Sequence, residues 1–194
     1  MNRLIVLALL GLTASGCSTW RHVETPADGT VTAGVYEYRI PAGWTYQVAN
    51  DVLVASHDGP GIQHVQSAFL EWDDPVAGDP ERQDLTESML PADVADQLLA
   101  ARRRQLGIDA IETTSLAPAT VADLGAFRAE YEYRTIDGVR FLGVCYGAMR
   151  PAGVYLLQYE APAIHYFERD LAAFESIVQS MRRLSKEERK ARNP

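Results

Sequence analysis

The sequence predicts an α+β fold: an antiparallel β-sheet covered by helices, in an α/β/α sandwich. Three observations carry that expectation. A hairpin alternates apolar and charged residues from Phe127 to Arg134, turns at Asp137-Gly138, a type I′ turn signal, and runs back over Val139–Met149, so one sheet face is buried and the other wet. Two segments with helical periodicity, one opening at Pro91 and one near Pro162, supply the covering helices. The order of elements (strands, helix, meander, helix) argues against a parallel doubly wound sheet.

Gly34–Ile40 alternates as a first strand, Pro41-Ala42-Gly43 is a turn, and Trp44–Val48 extends beyond it. Asp51–Ser56 reads as the next strand, His57–Gly61 as a dense turn, and Ile62–Trp72 as a strand rich in Val, Phe and Leu. Asp73–Met89 is acidic and broken by Pro and Gly, a long surface loop of the kind that is functional or disordered. Pro91 opens a helix with Val94, Leu98, Ala101 and Leu106 on its apolar stripe. Asp93 and Asp96 stand near its start, Arg102, Arg103 and Arg104 near its end, and Gly107 is the stop. The arginine triplet is expected to be solvated charge that complements the helix dipole. Ala110–Leu116 and Ala119–Leu124 read as two strands ahead of the hairpin. Arg150–Gly153 is a turn and Val154–Glu160 a strand. The last helix carries Phe167, Leu171, Phe174, Val178 and Met181 on one stripe.

The chain opens with Met1-Asn2-Arg3, the apolar run Leu4–Leu12 and Thr13-Ala14-Ser15-Gly16-Cys17. That run is too short to cross a hydrocarbon core of ~30 Å, which needs about 20 apolar residues. It suits the core of an export signal, with Arg3 as the positive start. The small residues before Cys17 resemble the lipobox of bacterial lipoproteins. The resemblance implies cleavage after residue 16 and acylation (palmitate) of Cys17; two or three chains anchor durably where one is marginal. An ordinary secretory cleavage site, leaving Cys17 a free thiol, is the alternative. The expected organisation is a signal peptide over 1–16, a flexible tether over 17–33, an α+β domain over 34–184 and a basic tail over 185–194. The expected location is the cell membrane or outer membrane, lipid-anchored and facing the periplasm or exterior. Ser18 in place of an Asp after the cysteine resembles lipoproteins sorted to the outer membrane of Gram-negative cells.

A net charge of −8 argues against nucleic-acid binding, which needs a basic footprint. Both lysines, Lys186 and Lys190, lie in the tail with Arg182, Arg183, Arg189 and Arg192. The tail reads as a solvated helix end, with contact to anionic lipid head groups near the anchor as the alternative. Two cysteines make no disulfide framework. Cys145, in an alternating apolar strand, is expected to be a small buried hydrophobe, and a bridge to Cys17 would need an unlipidated N-terminus.

No catalytic residue is assigned. His57 and His64 flank the Asp58–Gly61 turn, and hairpin pairing would bring them near each other. With Asp58 they offer three metal ligands or an acid–base pair, at a spacing that matches no metalloenzyme motif. His22 and His165 are expected at the surface. Glu71, Asp73, Asp74, Asp79, Glu81 and Asp84 suit Ca²⁺ by type, without the EF-hand spacing. The chain has no P-loop, Gly-rich dinucleotide turn or G-x-S-x-G elbow, so no cofactor is expected and neither a nicotinamide nor a nucleotide ligand is assigned.

Tyr36-Glu37-Tyr38-Arg39-Ile40-Pro41-Ala42-Gly43-Trp44 is similar to the opening strand and P-x-G-W turn of the PsbP-like/Mog1-like superfamily. Gly153–Pro162, followed by Tyr166-Phe167 and Phe174-Glu175-Ser176-Ile177-Val178-Gln179-Ser180, resembles its closing strand and helix. The resemblance covers about residues 34–184. It implies an antiparallel sheet sandwiched by helices and a role in binding partners: members include a photosystem subunit in one branch and a small-GTPase binder in another. It carries no shared catalytic motif. Trp44 is expected to pack against the last helix. The expected function is a membrane-anchored, exported, non-catalytic interaction module for an unknown protein or envelope component, making contact through the Asp73–Met89 loop and neighbouring turns. The alternatives are an exported metal-dependent hydrolase using His57 and His64, and a small-ligand carrier with a pocket between sheet and helices.

Overall fold

The computed structural model describes residues 20–72 and 85–192. Residues 1–19, which include the signal segment and Cys17, and residues 73–84, most of the acidic loop, lie outside the described residues. Among those described, β1 (Arg21–His22), β2 (Thr30–Ala33), β3 (Tyr36–Arg39), β4 (Thr45–Ala49), β5 (Val52–Ser56) and β6 (His64–Glu71) precede α1 (Pro91–Leu106). Then come β7 (Ile111–Val121), β8 (Leu124–Arg134), β9 (Arg140–Arg150), β10 (Gly153–Pro162), α2 (Tyr166–Ser180), β11 (Arg182–Arg183) and α3 (Lys186–Arg192).

Eight strands form one antiparallel sheet in the order β1-β4-β5-β6-β10-β9-β8-β7, and β11-β3-β2 form a second, smaller one. β10 is central to the large sheet and shows why both faces are buried. Tyr155, Leu157, Tyr159 and Ala161 join one core with Trp44, Tyr46, Leu53, Val65, Phe174 and Ile177, whereas Val154 joins the other with Leu98, Phe127 and Tyr131. Period-two alternation thus feeds two cores from one strand. α2 and the small sheet cover the first face; α1 and the buried Leu85 cover the second. The α+β sandwich is present, with the α2 layer shared by three short strands.

The stop at Gly107 is as expected: its left-handed φ of +63° lets the helix end with its N–H on the Arg104 carbonyl (3.1 Å). Four other expectations need correction. The segment read as a flexible tether is built into the fold from Arg21 onward: β1 pairs with β4, β2 with β3, and Val23, Val31 and Ala33 are buried. Two- and four-residue edge strands need too few apolar positions to leave a period in the sequence. The two strands expected over Ala110–Leu124 are one, β7, running through Pro118. Proline's missing N–H is tolerated there because β7 is the sheet edge. Pro162 closes β10, and α2 starts four residues later. At Asp137-Gly138 only Gly138 has positive φ (+80°), and its N–H returns to the Thr135 carbonyl (2.8 Å), as in a type I turn followed by a left-handed residue. The paired positive φ of a type I′ turn occur instead at Asn50-Asp51 (+49°, +63°) and Ala122-Asp123 (+47°, +64°).

Candidate functional site

Two polar clusters form where β5, β6 and β10 reach the same end of the sheet, one on each face. On the α2 side, β5 ends at Ser56 and the His57–Gly61 turn meets the first turn of α2. His57 Nδ1 lies 3.2 Å from Asp170 Oδ1. Gln63, fully buried, donates Nε2–H to Asp58 Oδ2 (3.0 Å) and Asp170 Oδ2 (2.8 Å), leaving its Oε1 without a partner among the described residues. Trp44, buried, stacks on the His57 ring at 5.9 Å and belongs to the same core as α2. The Arg169 hydrogen bond holds the Asp58 carboxyl below its ordinary range, with Gln63 adding to it.

His57, Asp58 and Asp170 place one ligand atom each within 4.8 Å of one another, a spacing that could hold a metal ion. Arg169 already stands there: its Nη2 hydrogen-bonds both Asp58 and Asp170 and lies 3.2 Å from His57 Nδ1, while its guanidinium covers the Tyr166 ring at 5.3 Å. The guanidinium bridges both carboxylates where a cation would sit, so the cluster reads as an ion network that ties the β5–β6 turn to α2. The sequence placed His57 beside Asp58 and missed Asp170 and Arg169. Asp170 is three residues from Phe167 and four from Phe174, on the stripe read as apolar.

His64 does not join His57. It faces α1, where Nε2 lies 3.6 Å from Glu160 Oε2. Glu160 has no exposed surface and is gripped by Arg102 through Nε (3.0 Å) and Nη2, with Tyr131 (2.9 Å) and Tyr133 (3.3 Å) donating their hydroxyls. Arg102 therefore turns inward rather than standing solvated as the triplet suggested. Gly143 makes room for this: it lies between Tyr131 and Glu160 in the strand register, and a Cβ there would overlap the Tyr131 ring. Burial pushes the His64 pKa down. Burial would push Glu160 up, but the Arg102 hydrogen bonds and charge hold it below the usual carboxylate range. Cys145 is a free buried thiol pushed up to about 12, first by burial and then by Glu160, so at neutral pH it is not a nucleophile. His22 and His165 are exposed.

The same end of the sheet carries apolar side chains in water. Ile62, Ile164, Val139 and Ile136 follow the strand order β6, β10, β9, β8 along the rim; Ile136 is 90% and Ile164 84% exposed. Ile164 is held there by a strained turn: His165 has φ +71° and ψ −49°, and the Tyr166 N–H donates to the Ile164 carbonyl (2.9 Å), the rare positive-φ form of the γ-turn. Beside Ile136 an open groove of about 490 Å³ runs between the end of α1 and β8, lined by Ile108, Glu112, Glu132 and Tyr133 among others.

No protein-family model matches the chain, and no curated sequence does. Among solved structures it is similar to the cyanobacterial PsbP (CyanoP) of Synechocystis sp., with a TM-score of 0.54 at 14% identity over 90% of this chain and 98% of that one. It is also similar to LpqN of Mycobacterium tuberculosis, a protein involved in cell envelope biogenesis, with a TM-score of 0.52 at 12% identity over 86% and 90%. The chain has a PsbP-like fold, as its opening and closing motifs imply.

Proposed function

We propose that this protein is an exported, lipid-anchored, non-catalytic interaction module of the cell envelope that binds a protein partner through the rim of Ile62, Ile164, Val139 and Ile136. The observation that carries this reading is the display of Ile164 on a strained γ-turn. Strain of that kind costs ~1–3 kcal/mol and clusters at functional positions. Large apolar side chains grouped in water mark interaction sites. The ionised groups beneath the rim are engaged within the fold, Arg169 bridging Asp58 and Asp170 and Arg102 gripping Glu160, as suits a scaffold. The lipobox resemblance at Cys17 and the envelope role of the similarly folded LpqN support an envelope location.

Two measurements test the reading. Palmitate labelling of the full chain is expected to mark the protein and to vanish in Cys17→Ser. Crosslinking in intact cells, followed by purification, is expected to capture a defined envelope protein that is lost in Ile136→Arg/Ile164→Arg at an unchanged melting temperature and retained in His57→Ala. A crosslinking pattern unaffected by the double isoleucine variant, or hydrolytic turnover that disappears in His57→Ala, overturns it.

A further inference from the structure

We infer that the end of the molecule opposite the apolar rim is a membrane-facing surface, on which the basic β11–α3 segment sits against anionic lipid head groups beside the N-terminal anchor. The first argument is where the chain enters the fold. β1 runs antiparallel to β4 with Arg21 opposite Tyr46 and His22 opposite Thr45, so Trp20 precedes β1 on the side of the Asn50-Asp51 turn. Only Ser18 and Thr19 separate Cys17 from Trp20, three Cα–Cα steps that reach at most about 11 Å. With the tether this short, the body is held within about a Debye length of the bilayer, and this end of the sheet faces it.

The second argument is what else lies there. Gly34 packs against Asp51, such that a Cβ on Gly34 would lie 3.4 Å from that of Asp51. The next residue, Val35, accepts the Leu184 N–H at 2.9 Å, and α3 begins two residues further on. The helix is fastened in place: Ser185 Oγ accepts the Glu188 N–H (3.1 Å), Glu188 accepts the Ser185 N–H (2.8 Å), and Arg182 joins Glu188 (2.8 Å) to Glu37 of β3 (2.7 Å). Ser-x-x-Glu is a capping box, so the tail is a positioned helix rather than a fraying end. Arg183, Lys186 and Lys190 are exposed there and make no ion pair among the described residues. Both lysines of an otherwise acidic chain thus stand beside the anchor point. Trp20 (38% exposed) and Val48 (39%) add the amphipathic and apolar surface that favours a bilayer interface. The charge complements an anionic leaflet, whose attraction for each nearby Lys or Arg makes one lipid chain plus a basic patch a stable anchor.

The proposal rests on the envelope reading only in taking Cys17 as the anchor, and its test does not need the lipid. Among the described residues the buried core runs from Val23 to Leu184, so the chain from residue 18 onward carries all of it. Sedimentation of this chain is expected with phosphatidylglycerol–phosphatidylcholine vesicles at low salt, with release at high salt and no binding to phosphatidylcholine alone. Arg183→Gln/Lys186→Gln/Lys190→Gln is expected to lower the partition coefficient on the order of 100-fold. Arg134→Gln, at the opposite end, is expected to leave it unchanged. Equal binding to neutral vesicles, no binding to anionic ones, or a triple variant that melts and partitions like the parent overturns the proposal. None of those results touches the palmitate or crosslinking outcomes.

Discussion

Glu160 is the residue on which the α1 face depends. A carboxylate with no exposed surface is tolerated because Arg102 supplies two charge-assisted hydrogen bonds and two tyrosines fill the remaining acceptor sites. Glu160→Gln keeps the shape and removes the charge, leaving the Arg102 guanidinium without its counter-ion. Urea denaturation is expected to show a loss of about 3 kcal/mol, the low end for a broken buried pair because Arg102 retains 22% side-chain exposure. The same cluster sets an acid sensitivity. His64 and Glu160 both have depressed pKa values, so each binds fewer protons folded than unfolded, and stability falls as the pH falls. The His64 part is present above the ordinary histidine pKa of about 6.5 and is lost below it. The Glu160 part is lost further down, as the pH passes below about 4.3 toward its folded value. Urea midpoints are expected to decline from near neutrality through pH 5. In His64→Gln that decline flattens while the acid limb remains.

Turns decide how far the elements could be read from the sequence. Helix α1 was legible at both ends because Pro91 and Gly107 are local signals whose conformations no distant contact overrides. The Ala122-Asp123 turn was not, because neither residue favours positive φ; the β7–β8 pairing imposes it. Holding Ala left-handed costs ~1–2 kcal/mol, which Gly avoids at an entropic cost of about half that. Ala122→Gly is therefore expected to raise stability by about 0.5–1 kcal/mol, read as a higher urea midpoint with unchanged slope; a lower midpoint means the Ala side chain packs usefully. Pro118 was misread for a complementary reason: a proline reads as a strand break until the strand is known to be an edge. It also blunts that edge. Pro118→Val is expected to leave the fold intact and increase concentration-dependent association, measured by light scattering, because it restores an N–H and β-propensity to an eleven-residue exposed strand.

At the scale of the molecule, the candidate site was half legible. His57 and Asp58 were found as a dense polar turn. Their partners Asp170 and Arg169 come from a helix more than a hundred residues away, and His64 was assigned to the wrong companion because a hairpin turn says nothing about which sheet face each residue takes. What joins the faces is β10, which sends Tyr155, Leu157 and Tyr159 into one core and Val154 into the other. Neither core can loosen without releasing a strand the other needs, so the sheet is expected to unfold as a single unit. The check is to damage one face and watch the other. Leu98→Ala opens a cavity under α1 and is expected to cost about 2–5 kcal/mol. Trp44 lies in the α2 core, and in a Trp20→Phe/Trp72→Phe background it is the sole indole. Its fluorescence midpoint in urea is expected to fall as far as the circular-dichroism midpoint does. If Trp44 keeps the parental midpoint while circular dichroism separates into two steps, the faces are independent and β10 does not couple them. Coincident shifts mean instead that a load applied at the apolar rim is shared by the whole sheet, down to the end where the chain enters.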